Sequence, residues 1–192
     1  MVLEILFVCT TALASHLLVS FSQTLFHYRL GHRRLGGRLF RNHIYFHHVH
    51  YARNHLVSDR YLDDEGNNTP FFLIPTAAVA LVAYVVLRLD LFVVLMAAMS
   101  ASFFAHVYLD KQYHVAGSWL GRFAWFRRKQ QLHFVHHHHA DSNFAIINYF
   151  WDRLLGTYRN VTADDPGSET DTPATPASAS NLKRGARDQC PR

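Results

Sequence analysis

Residues 69–109, TPFFLIPTAAVALVAYVVLRLDLFVVLMAAMSASFFAHVYL, hold two apolar runs joined by Arg88-Leu89-Asp90. Phe71 to Leu87 carries no charge, and Leu91 to Leu109 is nearly as apolar. At about 1.5 Å per residue, each run as a helix spans most or all of a hydrocarbon core about 30 Å thick. Thr69-Pro70 supplies a helix start, a hydroxyl at the N-cap and then a proline where no N–H is needed. Both runs are apolar all round, which favours lipid over the one-sided burial of a soluble helical hairpin. The pair reads as a transmembrane hairpin.

Working outward, Leu3 to Phe26 is a third apolar run with His16 embedded in it. Ala12-Leu13-Ala14 has the small-x-small look of a signal cleavage site. However, Glu4 is present and no Lys or Arg precedes the run, so a retained transmembrane helix is expected. The segment 27–69 contains seven arginines, and Lys111 to Arg159 contains seven Lys or Arg, whereas the hairpin turn has Arg88 opposed by Asp90. The positive-inside rule therefore places both basic segments in the cytoplasm and the hairpin tip outside. Trp119, Trp125 and Trp151 suit helices lying on the cytoplasmic leaflet. The expected fold is all-α: a multi-pass integral membrane protein with about three transmembrane helices plus cytoplasmic interfacial helices carrying the histidine clusters. Residues 1–160 form one membrane-embedded domain. The Asp/Pro/Ser/Thr/Ala-rich stretch 161–192 has a composition that cannot bury a core and is expected to be a disordered tail.

With 192 residues and a net charge of +5, the chain is one domain by length and modestly basic. Its cations flank apolar segments and form no aromatic-interleaved patch, so the partner they suit is a membrane surface and not nucleic acid. Cys9 and Cys190 cannot make a disulfide framework, and Cys190 is not placed as a prenylation box. The sequons Asn67-Asn68-Thr69 and Asn160-Val161-Thr162 fall on the expected cytoplasmic side and read as accidental.

The fifteen histidines are clustered. His27-x4-His32 and His43-x3-His47-His48 precede the hairpin; His106, His114 and His133-x2-His136-His137-His138-His139 lie in or after it. Imidazole is the commonest protein ligand for transition metals, so two banks brought to one membrane face suggest a polynuclear metal site. On a helix, positions three and four apart share a face. His43 and His47 are thus expected at one metal, with His48 reaching a second; His133, His136 and His137 repeat the pattern. His106, Asp110 and His114 stack at intervals of four. His27 and His32, five apart, splay on a straight helix, and Gly31 offers a bend. Eight or more imidazoles from four segments suit two metal ions better than one. The chain has no CxxC or HExxH, and Glu4, Glu65 and Glu169 cannot build a carboxylate di-iron site, so any di-iron centre must be held by nitrogen. His16, about 16 Å deeper than His27 along a helix, reads as a hydrogen-bonded helix residue. His50, His55, His138 and His139 are surplus to the spacing pattern. A run of four histidines can also be a plain surface metal-binding tract.

The sequence HX4H, HX3HH and HX2HH, divided by a transmembrane hairpin, resembles the fatty acid hydroxylase / sterol desaturase superfamily of membrane di-iron enzymes. Asn143-Phe144-Ala145 and Phe150-Trp151-Asp152-Arg153-Leu154-Leu155-Gly156-Thr157 are similar to that family's closing signature, and the likeness covers residues 20–160. The resemblance implies that His27, His32, His43, His47, His48, His114, His133, His136 and His137 bind two non-haem irons. It further implies O2 as co-substrate, oxidation of an unactivated C–H bond to an alcohol or alkene, a membrane lipid substrate, and a separate electron donor (cytochrome b5-, ferredoxin- or reductase-like). Many members carry a histidine where this chain has Asp110, which leaves Asp110 as an oxygen ligand or an orienting partner and His106 as a substitute or a channel residue. Arg122, Arg127, Arg128 and Lys129 suit anionic headgroups or an acidic donor. Two rivals remain at this point, a bis-His membrane cytochrome and a non-catalytic His-rich membrane metal-binding protein. No residue distinguishes a fatty acyl, sterol, carotenoid or other lipid substrate.

Overall fold

The computed structural model describes residues 1–61 and 69–165. Glu65, the Asn67-Asn68 sequon, Glu169, Cys190 and most of the expected tail lie outside the described residues. Within them the chain is all-helical and has no β-strand. Helix α1 (Val2–Phe26) continues into a π-helical turn, His27–Gly31; α2 (Arg38–Arg41) continues into another, Asn42–His47, and then α3 (His48–His50). Helices α4 (Thr69–Val86) and α5 (Leu89–Tyr113) form the hairpin, and α6 (Ala124–His138) and α7 (Phe150–Leu155) follow.

Among the described residues, two helices are long and apolar enough to cross a membrane: Val2–Gly31 and Leu89–Tyr113. Only 11% of the most apolar window of each is buried, which is not the situation of a soluble core helix. The run expected as a third span forms α4, in which Ile74–Val86 is a shorter apolar stretch among the described residues. Pro75 sits inside α4 and removes one backbone donor, while the Thr76 hydroxyl bonds the Phe72 carbonyl at 2.7 Å.

Helices α1 and α5 run parallel. At one end Arg88 bridges Glu4 (3.1 Å) and Asp90 (2.7 Å); midway, His16 Nδ1 lies 3.0 Å from the Ser102 hydroxyl. As expected, His16 is a hydrogen-bonded helix residue. Ser15, Ser20, Gln23 and Thr24 are the buried polar positions of α1, and the Ser15 and Thr24 hydroxyls bond carbonyls four residues back. Because α1 and α5 point the same way, α4 must return in between. It does: Phe72 near its start meets Phe26, and Tyr84 near its end meets Phe92.

The remaining chain caps the end at which α1 and α5 finish. Two apolar clusters carry it, Tyr113/Leu120/Phe126/Ile146 and Leu132/Ala145/Tyr149, with Tyr158 and Val161 packed on the second. Val161, placed in the tail by composition, packs on the second cluster, and Asp165 is buried. The cations expected to face a partner are partly committed to the cap itself. Lys129 donates to the Ile147 carbonyl, Arg128 to Asn160, Arg127 to the Gly121 carbonyl, and Arg122 lies over Trp119 and Phe123.

The turn that sends the chain from His32 back toward α2 depends on a missing side chain. A Cβ on Gly36 would lie 1.9 Å from the Leu30 carbonyl oxygen, a backbone atom that cannot rotate away. Gly36→Ala is expected to cost at least the ~1–3 kcal/mol of an overpacked site, lowering the melting temperature in detergent. Gly121→Ala, where a Cβ meets nothing within 4 Å, serves as the neutral comparison.

Candidate metal centre

The nine histidines singled out in the sequence come together in two adjoining groups. His27, His32, His43, His48 and His136 form the first, and His47, His114, His133 and His137 the second. These buried clusters could hold metal ions. They draw on the end of α1, the α2–α3 segment, the end of α5 and α6, so both histidine banks meet at one end of the helical body.

The π turns explain the partition. The His32 N–H bonds the His27 carbonyl (3.2 Å), five residues back, which brings His27 and His32 to one face. The His48 N–H likewise bonds the His43 carbonyl, so His43 pairs with His48 and leaves His47 for the other group. The α-helical expectation that His43 and His47 share a metal is thereby corrected. In α6 the ordinary spacing holds: His133 and His137, four apart, share the second group, and His136 turns to the first. Gly31 lies where a Cβ would come 3.2 Å from the His27 ring and 3.4 Å from the His43 ring, so its smallness makes room for the crossing imidazoles.

Hydrogen bonds to carbonyls set the tautomers. Nδ1–H of His27 donates to Phe144 (2.6 Å), of His114 to Leu56 (2.7 Å), of His136 to Ser142 (2.7 Å) and of His137 to Tyr51 (2.8 Å). A carbonyl only accepts, so the proton of each neutral ring is on Nδ1 and the Nε2 lone pair points inward. The Nε2 atoms then crowd. That of His43 lies 2.8 Å from His27, 3.0 Å from His32 and 3.1 Å from His48; that of His133 lies 2.9 Å from His114 and 3.2 Å from His137. One imidazole nitrogen has one proton or one lone pair, so it cannot satisfy three such neighbours as hydrogen bonds. A shared cation does. The two groups also share a wall, with the His48 ring stacked on His137 at 4.3 Å.

His47, His114, His133 and His136 are at most 1% exposed, while His27, His32, His43 and His48 are partly covered residues whose nitrogens face one another. Burial, followed by repulsion from neighbouring imidazoles, holds His32, His43, His48, His133, His136 and His137 well below the usual 6.5. They are neutral at physiological pH, the state that binds metal.

Asp110 approaches the second group, its Oδ1 3.4 Å from His133 Nε2. His106, His50 and His55 belong to neither group, and His16 lies against the Ser102 hydroxyl. His138 and His139 stand apart with Asp165.

The closing signature acts behind the ligands, a role that spacing alone did not assign. Asp152, fully buried, accepts the N–H of Phe144 (2.7 Å) and of Ala145 (2.9 Å) and the Thr157 hydroxyl (2.8 Å). It thereby fixes the carbonyl that orients His27. Asn143 donates to the Leu132 and Arg159 carbonyls and accepts the Arg159 N–H. On the other side, the Ser58 N–H bonds the His114 carbonyl (3.0 Å) and the Ala116 N–H bonds Ser58 (2.9 Å), which sets Leu56 beside His114. In the sequence Asp152 stood out only as part of the Phe150–Thr157 stretch, and its burial is a finding of the structure.

Comparison with family models, curated proteins and solved structures gives no match.

Two outcomes are expected. Asp152→Ala strands three buried donors and should cost at least about 3 kcal/mol, seen as a lower melting temperature. The metal-free chain should be less stable at pH 5 than at pH 7.5. Its buried rings resist protonation that the unfolded chain accepts below about 6.5, so stability falls as pH drops. A flat melting temperature across that range contradicts the neutral cluster.

Proposed function

We propose that the chain is a membrane-embedded di-iron oxygenase that hydroxylates or desaturates an unactivated C–H bond of a lipid, using O2 and electrons from a separate donor. The observation that carries this reading is the convergence of nine Nε2 atoms into a five-nitrogen and a four-nitrogen group against a common wall. Neighbouring Nε2 atoms stand as close as 2.8–3.2 Å, near enough to share an ion. Nitrogen donors in this number suit iron, and Asp110, its Oδ1 3.4 Å from His133 Nε2, is a candidate oxygen donor beside the second group.

When bound, two irons would supply the oxidising power, and no nucleophile or acid–base pair is then required of the protein. The chain's own residues would hold the ions, fix the tautomers of His27, His114, His136 and His137 through carbonyls, and enclose the second group. The partly covered first group is the side that substrate and O2 can reach. In this reading three helices cross the bilayer, the cap lies at the headgroup level, and the basic segments favour the cytoplasmic side. A lipid tail then enters from the hydrocarbon while its headgroup stays near the arginines.

The test is metal analysis with oxygen uptake on purified chain. Near two irons per chain and substrate-dependent uptake, with no Soret band, are expected. His136→Ala removes a nitrogen from the first group and His47→Ala one from the second. Each should drop turnover below about one-hundredth, beyond the loss typical of outer-shell partners, with membrane insertion retained. Full activity in both variants overturns the reading. Lipid profiling of a host expressing wild type or His136→Ala identifies the substrate.

A further inference from the structure

We propose that His138, His139 and Asp165 form a separate site for a single divalent transition-metal ion on the outer side of α6. The donor atoms of the three lie within 4.8 Å of one another and include none of the nine inward-facing histidines. His138 ends α6 and His139 follows it. Asp165 comes from the far end of the described chain, brought back by the packing of Val161 on the Leu132 cluster.

The carboxylate is aimed. Its Oδ2 accepts both the N–H and the hydroxyl of Thr162 at 2.8 Å, which fixes the group's rotation. Oδ1 is left facing His138 Nδ1 at 3.2 Å and His139 Nε2 at 3.3 Å. Asp165 is only 3% exposed, although Thr162, Ala163 and Asp164 before it are exposed. The two rings sit 4.3 Å apart at 30°, so both nitrogens face the same carboxylate oxygen. A divalent ion between the two nitrogens and Oδ1 would engage all three donors at once. Two nitrogens and one oxygen, with His139 a quarter exposed, describe a labile site with open positions for water, suited to zinc, cobalt, nickel or copper. An ion there would clasp residues 161–165 onto the end of the helix that carries His133, His136 and His137.

The experiment is equilibrium dialysis of the full chain in detergent, purified on a tag without histidine, against buffered Co2+ or Zn2+. Bound metal is counted for wild type, Asp165→Asn, His139→Gln and His136→Ala. Both Asp165→Asn and His139→Gln are expected to lose one ion per chain, their affinity falling by more than about tenfold, the scale on which even outer-shell partners act. His139→Gln leaves the Thr162–Asp165 bonds intact and so guards against simple unfolding. His136→Ala should keep this ion, whatever becomes of the nine-histidine centre. The count is therefore independent of iron and of turnover. If Asp165→Asn and His139→Gln bind as many ions as wild type with the same affinity, the three residues are an ion pair only and the site does not exist.

Discussion

Four of the nine imidazoles at the centre, His27, His114, His136 and His137, are held from behind by a backbone carbonyl, and the surrounding cap puts those carbonyls in place. Phe144, Leu56, Ser142 and Tyr51 supply one each, from segments without regular structure. Neutral histidine gains from that bond only if the proton moves to Nδ1, and the inward nitrogen is then a lone pair. Several lone pairs facing one another repel, so the arrangement has to be imposed by its surroundings. Asp152 on one side and the Ser58–Val115 bridge on the other do the imposing, and the apolar clusters under α6 resist relaxation.

This constraint also explains why helical periodicity described part of the site and misassigned another part. In α6 the chain is an ordinary α-helix, and the four-residue spacing of His133 and His137 reads correctly. Around His27 and His43 the helix widens by one residue per hydrogen-bonded turn, and five-residue spacings become the facing ones. Nothing in the residue types of His27–Gly31 announces a π turn; it is stabilised by what the two rings reach, which is tertiary. Gly31 was visible as a point of bending, whereas its actual use, space beneath two rings, depends on His43 from another segment. Asp165 was hidden for the same reason, its partners being twenty-six and twenty-seven positions earlier in a stretch whose composition argues against order.

The helical body was more legible because it depends on local, additive properties. Three apolar runs and two arginine-rich segments imply that both histidine banks reach one end, and the parallel course of α1 and α5 agrees. Composition marked the apolar run of α4, and the packing of Phe72 on Phe26 and of Tyr84 on Phe92 shows how it returns between α1 and α5.

The location of the centre, just past the ends of α1 and α5, follows from the same carbonyl requirement. Inside a long apolar helix every carbonyl is already bonded to an N–H four residues on, and a surrounding of lipid offers no substitute. His16, at mid-helix, accordingly turns to the side chain of Ser102. Rings that need backbone acceptors must lie where the chain leaves the helical ladder, yet rings that must enclose an ion need rigid supports on several sides. The terminal turns of α1 and α5, faced by α6 and by the loops at 51–56 and 142–144, meet both demands at once. A centre deeper in the helices would lose its carbonyls, and one further out would lose the helix ends that hold His27 and His114 in place.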